Sequence, residues 1–234
     1  MSLRIALASI VLLAIFPSPS IASPISVAGF TFSAGEEAFA DSIEFVSGWP
    51  VNLPVVNDVL VGSDISDSFN SGNSTPSVLD VFFIDNSIVN GPGVDVVIFE
   101  LSGDKPAGSP DPREIFDVSV FDGSGFSPFV TVTPIATGFD DPADSTLDVF
   151  AVQIDLGSFG VPSGVSVDRI RIAIYNANLG SKSADLTAVG ALNSGLPVPA
   201  PSTALTLAAG LFLIAQRRNR ARRRMMADSM RRRT

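Results

Sequence analysis

The chain contains no cysteine and no histidine. Disulfides, zinc fingers, thiolate nucleophiles and imidazole bases are therefore excluded together, and the core alone must hold the fold. Tryptophan and tyrosine occur once each, as Trp49 and Tyr175, beside seventeen phenylalanines. Sugar-processing clefts draw on Trp and Tyr, whereas phenylalanines in this number read mostly as core. Cations are scarce in the body of the chain. Residues 23–196 hold 23 Asp and Glu against five Lys and Arg, a net charge of −18. Phosphate binding needs clustered cations, so this region argues against a nucleic-acid partner.

The missing cations gather at the two ends. Arg4 precedes a twelve-residue apolar run over residues 5–16, and Ser20 and Ala22 place small residues at −3 and −1 of a cleavage point. Those are the parts of a secretory signal, so residues 1–22 are expected to be removed after Ala22, with Ala28 as the second choice. At the far end "ALTLAAGLFLIA", residues 204–215, covers about 18 Å of a hydrocarbon layer of about 30 Å. Ser202, Thr203, Gln216 and snorkelling arginines lengthen the match. Residues 204–216 are expected to form a membrane segment. Arg217, Arg218, Arg220, Arg222, Arg223 and Arg224 open a tail, residues 217–234, with nine Arg and one Asp. Such a cluster stops translocation and stays cytoplasmic. The proline-rich residues 193–203 read as an extended linker.

The intervening residues 23–192 alternate as strands do. In "EIFDVSVFDG", Phe116, Val118 and Val120 oppose Asp117 and Ser119; in "VDRIRIAIYN", Ile170, Ile172 and Ile174 oppose Arg169 and Arg171. "LDVFAVQIDLG" sets Phe150, Val152 and Ile154 against Gln153 and Asp155. A period of two means one buried and one wet face. "VDVVIFEL" is nearly all apolar, which predicts a central strand covered on both sides. Further candidates are residues 28–33, 78–84, 129–133 and 185–190. Connections such as "NSGNSTPS", "NGPG" and "DDPADS" are built from turn residues. No stretch here has a helical period. About eight to ten short strands predict a single all-β sandwich, of jelly-roll type, flanked by a signal helix and a transmembrane helix.

"VPAPST", the apolar run and the arginine cluster together resemble the PEP-CTERM sorting signal of exported Gram-negative bacterial proteins. Val198, Pro199, Pro201, Ser202 and Thr203 match it, while Ala200 stands where that family usually has Glu. The resemblance implies processing by an exosortase, with transient membrane anchoring followed by the cell surface or an exopolysaccharide matrix. "AFADSIEF", "DNSIVNGPGVDVVIFE" and "ADLTAVGALNSG" are similar to blocks that recur in exported proteins with such tails. That second likeness implies a galactose-binding-like sandwich.

Without His or Cys, catalysis would fall to carboxylates, as in glycoside hydrolases. The adjacent pairs Glu36/Glu37 and Asp140/Asp141 are no sign of this, because strand neighbours point to opposite faces. "NGPG" leads into a strand with no Lys at P-loop spacing, and is a turn. Asp140, Asp141, Asp144 and Asp148 offer hard oxygen donors for Ca²⁺, as do Asp85 and Asp95, but off EF-hand spacing. Solvated turn aspartates are the simpler reading, and no cofactor is expected beyond that calcium. The expected function is a non-catalytic surface or matrix protein that associates with exopolysaccharide; the alternative is a carboxylate-dependent carbohydrate-active enzyme.

Overall fold

The structure, a computed structural model, describes residues 22–47, 60–69, 77–103, 105–111, 114–174 and 184–195. The expected signal peptide before Ala22, the linker beyond Gly195, the sorting motif, the apolar run, the arginine tail, Trp49 and Tyr175 lie outside these residues. Fourteen strands are described, against the eight to ten expected: β1 (Ile25–Val27), β2 (Phe30–Phe32), β3 (Ser42–Ser47), β4 (Ser77–Phe82), β5 (Ser87–Val89), β6 (Val96–Gly103), β7 (Phe116–Val120), β8 (Val130–Val132), β9 (Ile135–Asp140), β10 (Leu147–Ile154), β11 (Ser166–Val167), β12 (Arg169–Ile174), β13 (Asp185–Ala191) and β14 (Ser194–Gly195). The only helical turns among the described residues are two 3-10 segments, Gly35–Ala38 and Leu156–Phe159. No helix among them is long and apolar enough to cross a membrane.

Two antiparallel sheets face each other. One has the order β13-β6-β10-β9 and the other β3-β4-β12-β7-β8, with small sheets β11-β5-β14 and β1-β2 beside them. From β6 onwards the chain passes back and forth between the two large sheets, so their strands interleave in sequence. The apolar halves of the alternating strands meet between the sheets. Leu79 and Val81, Phe116 and Val118, and Ile170 and Ile172 pack into one core with Ile98, Val152, Ile154, Leu186 and Val189. This core is the main source of stability, since burying a side chain of this size contributes about 1.5–3 kcal/mol.

The outer face of the four-stranded sheet is also covered, which explains the apolar run of β6. Val97, Phe99 and Leu101 point away from the other sheet and form a second cluster with Phe32, Phe39, Val149 and Ala188. The cover is the β1–β2 hairpin and the 3-10 turn after it. That hairpin closes through Ala28 and Gly29, both at positive φ (42° and 85°), the geometry of a two-residue turn matched to strand twist. Gly190 of β13 leaves room for the cover: a Cβ there would stand 2.6 Å from the ring of Phe32.

The folded body extends slightly beyond its expected end. Asn193, Ser194 and Gly195 were expected in the linker, yet β14 pairs with β5 and Asn193 is hydrogen-bonded to Asp95. Asp95 explains why. It is fully buried, and its Oδ1 accepts from the Gly91 N–H and the Asn193 amide, both at 2.8 Å, while Oδ2 accepts from the Leu156 N–H at 2.8 Å. One carboxylate thus joins the β5–β6 turn, the end of β10 and the corner between β13 and β14.

Candidate functional site

Three segments far apart in sequence come together at one end of the five-stranded sheet. In β4 and β7 it is the C-terminal end, and in β12, which lies antiparallel between them, the N-terminal end. Each carries an aspartate at or just beyond the strand end: Asp85 in "FFIDN", Asp122 in "VFDGS" and Asp168 in "VDRI". Backbone bonds lock the segments together. The Phe83 N–H donates to the Asp168 carbonyl (2.9 Å) and the Phe121 N–H to the Arg169 carbonyl (3.1 Å). Asp41, at the foot of β3, accepts from the N–H groups of Ile84 and Asp85.

Between these ends lies a cleft of about 490 Å³. Phe82, Phe121 and Ile84 supply its apolar wall, and Ile84 is 73% exposed. Asp85, Asp122 and Asp168 supply its charge, and Asn86 lines it as well. Asn86 is only 6% exposed, yet neither its amide nitrogen nor its carbonyl oxygen has a hydrogen-bond partner. A buried amide without partners costs about 1–3 kcal/mol, which sets this side chain apart from the other residues of the cleft. Arg169 sits between the rings of Phe82 and Phe121, 4.6 and 4.7 Å from their centres. Its neighbour Arg171 forms a bidentate pair with Asp80, at 2.6 and 3.0 Å, and this pins β12 to β4.

Two of the cleft carboxyls are shifted in opposite directions. Asp85 is raised above the usual carboxylate range, first by partial burial, then by the charge and hydrogen bond of Asp41 and the charge of Glu37. Asp122 is lowered by hydrogen bonds from the Ser124 N–H and hydroxyl and the Gly125 N–H. A carboxyl inclined to keep its proton therefore shares a cleft with one inclined to lose it.

Sequence reasoning singled out Asp85 from this group, as an oxygen donor, and missed Asn86, Phe82, Phe121, Asp122 and Asp168. The usable signal was the recurrence of an apolar strand running into Asp. The calcium candidates lie elsewhere, at the β9–β10 turn. Asp140 and Asp148 face each other across β9 and β10. Asp141 accepts from the Ala143 N–H, Asp144 from the Thr146 N–H and hydroxyl, and Asp148 from the Lys105 N–H. Among the described residues no group of three or more carboxylates is arranged to hold a metal ion. Asp95, the other sequence candidate, directs both oxygens to protein N–H donors.

A different carboxyl group is hidden inside the sandwich. Glu100 of β6 lies opposite Phe150 and Leu186 on the neighbouring strands and is wholly buried, with the Glu114 carboxyl beside it. Burial pushes its carboxyl up to about 12, reinforced by the adjoining Glu114 carboxyl and the charges of Asp185 and Asp111. Lys105 and the Ser102 hydroxyl bind Asp111 beside it. At neutral pH Glu100 is therefore a neutral acid.

No family model matches the chain, and no curated protein matches it in sequence. Among solved structures, it is similar to a fucose binding module of Streptococcus pneumoniae at 12% identity and a TM-score of 0.38, covering 67% of this chain and 96% of that one. It is also similar to the C-terminal domain of a chitobiase from Bacteroides fragilis, at 11% identity and a TM-score of 0.38, covering 66% of this chain and 95% of that one.

Proposed function

We propose that the chain is a non-catalytic glycan-binding protein of the cell surface or extracellular matrix, and that the cleft at the ends of β4, β7 and β12 is its binding site. The observation that carries this reading is Asn86, a buried amide without partners in an open cleft with an apolar wall. Sugars present that combination: apolar C–H faces and rings of hydroxyls that both donate and accept. The two antiparallel sheets, between which the chain crosses repeatedly from β6 onwards, support a sandwich of jelly-roll, galactose-binding-like type, in which loops gather at the ends. Replacing Asn86 by Ala, or Phe121 by Ala, is expected to weaken retention on exopolysaccharide from the producing cells about tenfold. Unchanged retention in both variants would reject the cleft. One second reading is a carboxylate-dependent hydrolase that uses Asp85 and Asp122, which line the same cleft. Release of new reducing ends from the bound polymer, lost in Asp85→Asn, would establish that alternative.

We propose that Val198, Pro199, Pro201, Ser202 and Thr203 form the recognition stretch of an exosortase-type enzyme, with residues 204–216 as a temporary anchor. A short span is easier to release than one that fills the bilayer. In a host that makes such an enzyme, a C-terminal tag should disappear from the surface protein; without the enzyme the chain should stay in the membrane. A tag that persists on surface protein in the competent host rejects the sorting reading.

A further inference from the structure

We propose that the cleft selects amino sugars, holding the protonated amine of its polymer among Asp85, Asp122 and Asp168. This rests on the glycan reading above and narrows it to one class of sugar. Three carboxylates from three separate segments line one small cleft, and no ion pair among the described residues reaches any of them. Two of the described cations are committed elsewhere, and the third, Arg169, sits at the cleft wall between Phe82 and Phe121. Lys105 binds Asp111, Arg171 binds Asp80, and Arg169 lies between two rings with Nη1 4.0 Å from Asp80. Asp41 and Glu37 stand behind Asp85 and add to the same negative field.

Asn86 is the independent pointer to a ligand. Its buried, unpartnered amide lines the cleft that the carboxylates line, and it can both donate to and accept from a sugar hydroxyl. A uronate would bring a further negative charge into this field and be repelled. A neutral sugar could use Asn86 and the apolar wall but would gain nothing from the carboxylates. An ammonium group satisfies both, through charge-assisted N–H donation to carboxylate oxygens. Acetylation removes that charge and so should remove the preference.

The test is calorimetric titration of the full chain with glucosamine oligomers, their N-acetylated counterparts, an oligogalacturonate and a neutral glucan. Glucosamine oligomers should bind about tenfold or more tightly than the acetylated ones of equal length. Asp168→Asn and Asp85→Asn should each weaken that binding about fivefold or more. Asp144→Asn, at an exposed turn away from the cleft, should leave it unchanged. Equal affinity for amine and acetylated oligomers, still lowered by Asn86→Ala, would overturn the amine proposal and leave the glycan reading standing. Preference for the uronate, or binding only with added calcium, would do the same. An equal loss in Asp144→Asn would reduce the effect to general charge and overturn the proposal. Binding of none of the four would overturn the proposal and the glycan reading together.

Discussion

Glu100→Gln should stabilise the protein at neutral pH by about 2–3 kcal/mol and raise its thermal midpoint by roughly 5–10 °C. The folded carboxyl is pushed up to about 12 from an ordinary value of 4.5. Below the ordinary value both the folded and the unfolded chain carry the proton, and the group contributes its full stability. Above it the unfolded chain ionises and the folded one does not, so that stability drains away as pH rises towards the folded value. The slope approaches about 1.4 kcal/mol per pH unit. The wild type should therefore be more stable at pH 5 than at pH 7, and Gln, with no proton to lose, should flatten this part of the profile. Parallel denaturation profiles for the two proteins between pH 5 and 8 would show that Glu100 is not held neutral.

Asp95→Ala should cost about 2–4 kcal/mol, measured as a lower midpoint in urea. The loss strips the acceptor from the buried Leu156 N–H and the half-buried Gly91 N–H, and leaves the Asn193 amide only its longer bond to the Val94 carbonyl. Asp95→Asn should cost about half as much, because its one carbonyl oxygen can still serve donors while its amide group opposes one. A cost below about 1 kcal/mol for the alanine variant would mean that these bonds are replaced by water and that the junction is not buried in solution.

Much of the sheet structure was legible because period-two alternation needs no knowledge of partners. β7 and β12 declare themselves through Phe116, Val118, Ile170 and Ile172, and the apolar run of β6 signals cover on both faces. β5, β11 and β14 were not legible. They are two or three residues long, too short for a period to show, and exist because Ser87–Val89 finds partners from both sides. The same limit hid the candidate site. Residues 82–87, 121–123 and 166–168 are unremarkable turns until the antiparallel order of β4, β12 and β7 brings them to one end of the sheet. Asp95 was visible as an oxygen donor, but its meaning depends on residues 61 and 98 positions away. Local composition proposes a metal; long-range pairing supplies N–H groups instead.

The cover over the four-stranded sheet also has a consequence for the order of assembly. Phe32 and Phe39 near the start of the chain rest against Gly190 of β13, near the end of the folded body. A chain that emerges from its N-terminus thus presents its first phenylalanines long before their partners exist. Closing so long a loop is entropically slow, and contacts of this separation form late. Until residue 190 arrives, the opening hairpin has no surface to lie on and is a natural target for a holding chaperone. The first segment made is the last to find its place.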